Sequence, residues 1–130
     1  MKVLALDYGS ARTGLAVSDP TGTLARPLGV VEKVGTEAGL AQLLEVIRVE
    51  NPERIVVGLP LTMGGEHGEQ ARETERFVET LSAATAVPVE SFDERFTTDL
   101  AEQTPSAAPE DARAAAHLLS SYLTWASGRT

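Results

Sequence analysis

The sequence predicts one α/β domain built on a mixed sheet. Three observations carry that expectation. Short apolar runs come first, at Lys2–Leu6, Thr13–Ser18 and Pro27–Val31, followed by segments of alternating helical and strand character. The first two runs are separated only by a short Gly-Ser-Ala-Arg turn, so they can pair antiparallel. The later strands are each preceded by a helix, the arrangement that gives parallel neighbours. At 130 residues the chain is about the size of one domain and long enough to bury a core.

Lys2–Leu6 alternates poorly and is rich in Val, Leu and Ala, as a strand buried on both faces is. Thr13–Ser18 is its hairpin partner, and Pro27–Val31 is a third strand placed near a sheet edge by Pro27. Thr36 can cap a helix whose apolar positions Leu40, Leu43, Leu44 and Ile47 share one face, and Asn51-Pro52 ends it. Arg54–Leu59 is a core strand closed by Pro60. A glycine-rich loop (MGGEHG, residues 63–68) leads into a helix that runs to about Ala84, with Ala71, Thr74, Val78 and Leu81 on one face and Phe77 beside them. Val87–Phe92 is the last strand. Residues 103–109 (QTPSAAP) form a small-residue loop, and Pro109 suits the first turn of a final helix. Its stripe is Ala112, Ala115, Leu119, Tyr122, Leu123 and Ala126.

The composition narrows the classes of function. With no cysteine, disulfides and thiolate metal sites are excluded. No apolar run approaches a membrane span, and no signal-like segment opens the chain, so a cytoplasmic, unprocessed protein with no membrane partner is expected. Nineteen acids against 11 Lys and Arg give a net charge of −8, which opposes any broad attraction to nucleic acid. Five of the acids, Glu66, Glu69, Glu73, Glu75 and Glu79, read as one solvated helix face.

Other acids stand where a packed domain does not need them. Asp7 ends the first strand, Asp93 and Glu94 end the last, and Asp111 lies in the first turn of the final helix. Each has a local reading, as turn former, strand terminus or helix-dipole partner. Together they point to a site outside the carboxyl ends of the strands. Clustered carboxylates raise one another's pKa and suit a hard cation with oxygen ligands, such as Mg²⁺ or Mn²⁺. On this reading Asp7 is a metal ligand, and the acids are close enough to share one or two ions that promote phosphodiester cleavage. Arg12 and Arg95 stand beside the acids as candidates for phosphate contact, with an ion pair to Asp93 or Asp99 as the other reading of Arg95. His67 in the glycine loop can shuttle a proton, whereas His117, Tyr122 and Trp125 read as packing residues.

LALDYGSARTGLAVSD, VVGLPLTMGGEHGEQA, FDERFTT and DARAAAHLLSSYL resemble, in order, the four signature blocks of the bacterial YqgF family. These are the RuvX-type proteins, similar to Holliday junction resolvases and named for nuclease action on pre-16S rRNA. The resemblance covers essentially residues 1–130 and implies an RNase H-like fold, a five-stranded mixed sheet with helices on its faces. It implies a hydrolase maturing the 5′ end of 16S rRNA in ribosome biogenesis, with resolution of branched DNA as the rival activity. It places the family's catalytic and metal-binding acids on Asp7, Glu94 and Asp111. Asp93 is the alternative partner of Arg95.

The chain departs from the family between Thr98 and Asp111. A longer Lys/Arg-rich stretch is usual there, and this chain has the acidic DLAEQTPSAAPE. Because Lys and Arg supply most non-specific nucleic-acid affinity, a weak grip on substrate by a monomer or weak dimer is expected, offset by ribosomal or assembly proteins. A non-catalytic ribosome-assembly module with the same fold is the competing class. A phosphate-binding ATPase of the actin–hexokinase type also begins with a strand and an Asp-containing turn, but 130 residues lack its second lobe.

Overall fold

The computed structural model describes residues 1–62, 64–96 and 108–128. Its strands are β1 (Val3–Asp7), β2 (Arg12–Ser18), β3 (Ala25–Glu32), β4 (Arg54–Leu59) and β5 (Val89–Asp93). Its helices are α1 (Glu37–Glu50), α2 (Glu69–Ala84) and α3 (Glu110–Ser127). The strands form one sheet in the order β3-β2-β1-β4-β5. β1, β2 and β3 pair antiparallel in sequence, whereas β1, β4 and β5 run parallel. All three parallel strands therefore end at the same edge, which is where the acids are found.

Alternation along β1 sorts the core into two layers. Leu4 and Leu6 face the layer that α1 and α2 close with Leu43, Ile47, Phe77 and Leu81. Val3 and Ala5 face the layer closed by α3, with Ala115, Leu118, Leu119 and Tyr122. Each of the buried Leu, Val and Ile side chains contributes about 1.5–3 kcal/mol over an exposed one. Helices on both faces explain why Val3–Leu6 is apolar without alternation.

The helix signals act as expected. Thr36 Oγ1 accepts a hydrogen bond from the Gly39 amide at 3.1 Å, and Asn51 ends α1 in the left-handed region at φ 49°. α3 starts one residue after Pro109. Three details differ from expectation. β5 starts at Val89, because Pro88 offers no amide to a ladder. Glu94 opens a 3₁₀ turn (Glu94–Phe96) after the strand, and so does not end it. Leu118 joins the buried stripe of α3. The expected loop at residues 103–109, and the acidic stretch between Thr98 and Asp111, fall mostly outside the described residues. No helix among the described residues is long and apolar enough to cross a membrane.

Candidate active site at the carboxyl edge of the sheet

Asp7 is the organising residue. It pairs with Gly14 of β2 on one side. On the other side β4 runs parallel in a register that pairs Leu6 with Val57, which puts Gly58 level with Asp7. By alternation Asp7 points to the α3 layer, as Val3 and Ala5 do.

Each flanking glycine admits another acid. At Gly14 a Cβ would lie 1.8 Å from the backbone oxygen of Asp111 and 2.3 Å from its carbonyl carbon. No side chain fits there, and its absence lets the first turn of α3 rest against the hairpin beside Asp7. At Gly58 a Cβ would lie 3.1 Å from Cγ of Glu94, 3.2 Å from its Cδ and 3.0 Å from a Leu118 methyl. The Glu94 side chain thus lies over the backbone of β4, between its own strand and β1. The glycine loop at residues 63–68 stands out in the sequence, whereas Gly58 does not. The signal was a glycine within a strand, one residue from its end.

The electrostatics agree with this arrangement. Burial pushes the Asp7 carboxyl above its usual range, and the negative charge of Asp111 pushes it further. Glu94 is pushed up to about 7, first by burial, then by the charges of Asp7 and Asp93. Both acids are half-buried with like charges beside them, so ionising them together is costly unless a cation is near.

The arginines are engaged with acids. Arg12 Nε stands 3.1 Å from Asp111 Oδ2, an ion pair in which the Arg12 side chain is 66% exposed. Arg95 binds Asp93 through Nε, at 3.0 Å from Oδ1 and 2.9 Å from Oδ2, and through Nη2 at 2.5 Å from Oδ2. Its guanidinium lies against Gly65 of the glycine loop. Asp93 therefore ties the end of β5 to this arginine, which holds its carboxyl below the usual range. The ion pair with Asp93, one of the two readings of Arg95, is present in the structure. His67 meets Glu75 at 2.8 Å on the surface, and His117 is partly buried on α3. The acidic run on α2 is not one solvated face. Glu73 accepts a hydrogen bond from the Tyr8 hydroxyl at 3.1 Å, Glu75 holds His67, and Glu66 precedes the helix.

Among the described residues no group of three His, Cys, Asp or Glu side chains is placed to hold a metal ion. Asp7 and Asp111, and Glu94 and Asp7, are electrostatic neighbours, but the Asp111 carboxylate is turned to Arg12. The donor set still suits a hard divalent cation. It offers only oxygen, and a positive charge would relieve the repulsion that raises Asp7 and Glu94.

The fold is an RNase H-like one, shared with solved resolvase structures. The RuvC of Thermus thermophilus, in a complex with Holliday junction substrate, superposes with a TM-score of 0.69 at 19% identity over 100% of this chain and 98% of that one. A fowlpox virus resolvase with Holliday junction DNA gives 0.53 at 12% identity, covering 98% of this chain and 96% of its own. The chain belongs to the RuvX family, whose model, described as Holliday junction resolvase, matches residues 1–125. A relative from Chloroflexus aurantiacus is 46% identical over 101 residues, and the match spans 78% of this chain but 66% of the relative. One from Anaeromyxobacter is 48% identical, spanning 78% and 74%. One from Syntrophomonas wolfei is 36% identical, spanning 95% and 94%. All three carry the name "Putative pre-16S rRNA nuclease".

Proposed function

We propose that this chain is a single-domain, divalent-metal-dependent endonuclease of the cytoplasm that hydrolyses phosphodiester bonds, and that its substrate is the 5′ end of pre-16S rRNA. The observation that carries the reading is Asp7 set between two glycines, each of which admits one further acid, Asp111 or Glu94. Two of these carboxylates are raised by burial and by their neighbours. The names of the relatives supply the rRNA assignment.

Asp7, Glu94 and Asp111 would hold Mg²⁺ or Mn²⁺. Such an ion, when bound, supplies the charge that activates water against the phosphodiester and stabilises the departing 3′-hydroxyl. The chain's own residues do the rest. Gly14 lets the first turn of α3 rest beside Asp7, and Gly58 leaves room for the Glu94 side chain over β4. Arg12, exposed beside Asp111, can exchange its carboxylate partner for a substrate phosphate, to which a guanidinium binds well. Arg95 is a positioning residue that fixes the turn carrying Glu94 through Asp93.

The test is to incubate the purified protein with precursor rRNA and with branched DNA, with and without Mn²⁺, beside Asp7→Asn and Glu94→Gln. Metal-dependent cleavage of the precursor, lost in both variants while binding persists, is the expected result. Cleavage of branched DNA alone would transfer the assignment to junction resolution. Equal cleavage by the variants would refute the enzyme reading. It would favour the non-catalytic ribosome-assembly module, with which the net charge of −8 is compatible.

A further inference from the structure

On the sheet face opposite Asp7 lies a cavity of about 190 Å³, lined by Tyr8, Leu40, Glu73, Arg76, Phe77 and Thr80 among others. It opens between the start of α1 and the middle of α2, above the carboxyl end of β1. Tyr8 directly follows Asp7, so cavity and acids share one edge of the sheet and are separated by the strand itself. The Tyr8 ring stacks on Phe77 with centroids 4.7 Å apart and planes inclined by 26°. Phe77 is buried and Tyr8 half-exposed, so Tyr8 is the ring available to a ligand. Its hydroxyl donates to Glu73 Oε1 at 3.1 Å, which leaves Oε2 able to accept from a ligand. The positive charge of Arg76 reaches the same hydroxyl, and no ion pair among the described residues engages Arg76.

We infer that this cavity binds one unpaired nucleobase of the substrate strand, next to the nucleotide whose phosphate faces the acids. The volume is below the roughly 300–1,000 Å³ of pockets that enclose drug-sized ligands, so it suits a single ring system. An aromatic platform backed by a second ring stacks any base. A carboxylate acceptor beside it can take a base N–H, whether an exocyclic amino group or the ring N–H of uracil, and so adds hydrogen bonding to the stack. Arg76 at the rim offers a cation to the phosphate of the same nucleotide. Because a base held in a duplex cannot enter, the site selects single-stranded or splayed substrate. The inference rests on the nucleic-acid reading above and adds what the strand must present.

The test measures binding without turnover. Labelled single-stranded 12-mers of RNA, each with one abasic position, are titrated by fluorescence anisotropy in EDTA against the wild-type protein, Thr80→Trp, Tyr8→Leu and Glu73→Gln. In the wild type one abasic position is expected to weaken binding about tenfold, as the loss of one stacked base does. Thr80→Trp places an indole in the cavity from an exposed helix position and should erase that dependence. Tyr8→Leu should do the same if Thr80→Trp fails to fold. Glu73→Gln keeps the stack but replaces the charged acceptor with a neutral amide, so the abasic dependence should shrink without vanishing. Wild-type binding that is indifferent to every abasic position overturns this inference and leaves the nuclease reading standing. So does position dependence that persists in Thr80→Trp and Tyr8→Leu. A chain that binds none of the strands overturns this inference, and the cleavage assay above decides the nuclease reading separately.

Discussion

Gly14→Ala tests whether backbone packing holds the acids together. The added Cβ would stand 1.8 Å from the Asp111 oxygen, 2.3 Å from its carbon and 3.0 Å from the Ala112 nitrogen. Ordinary contact begins near 3.4 Å, so the first turn of α3 and the hairpin must separate by about 1.6 Å. Every obstructing atom is backbone, in a helix packed across β1, β2 and β3, so no side-chain rotation relieves the clash. The cost belongs at the upper end of overpacking, about 3 kcal/mol, or about 10 °C in Tm for a domain of this size. The same displacement carries Asp111 away from Asp7. The Asp7 pKa should then fall part of the way toward its ordinary value, keeping the larger contribution from burial. Urea denaturation followed by Trp125 fluorescence measures the first effect, and carboxyl-resolved NMR titration of Asp7 in EDTA the second. A variant as stable as wild type with an unchanged Asp7 titration would refute the argument that Gly14 seats Asp111 beside Asp7.

Two further outcomes follow from the charges. Glu94 has a folded pKa of about 7 against an ordinary 4.5, so the folded state binds the extra proton between those values. Metal-free stability should therefore fall as pH rises from about 4.5 through 7, by ~1–2 kcal/mol once solvent screening of this half-buried group is allowed for. Thermal melts in EDTA across that range should show the slope in wild type and a flatter line in Glu94→Gln, with Asp7→Asn neutral or stabilising at neutral pH. Arg12→Ala breaks an exposed ion pair and should cost less than about 1 kcal/mol of stability. Anisotropy titrations over a salt series should nonetheless show weaker nucleic-acid binding, with a log–log slope shallower by about one phosphate contact.

The order of elements, the hairpin, the caps of α1 and the three suspect acids could be read along the chain, because each depends on local chemistry. Thr36 and Asn51 act within four residues of themselves, and the apolar runs report burial whichever neighbours supply it. Asp7, Glu94 and Asp111 stood out because carboxylates are costly at the ends of core elements. Their mutual placement was not local information. It depends on β1 pairing with β2 and β4 at once, which sets Gly14 and Gly58 on either side of Asp7. Only the tertiary structure, where residues up to a hundred positions apart meet, decided which arginine belongs to which acid. There Arg12 met Asp111 across the hairpin, and Arg95 met the adjacent Asp93 because the 3₁₀ turn after β5 folds it back. The role of Glu73 was hidden for the same reason. Its partner Tyr8 lies 65 residues away, and the spacing of acids along α2 carries no trace of it.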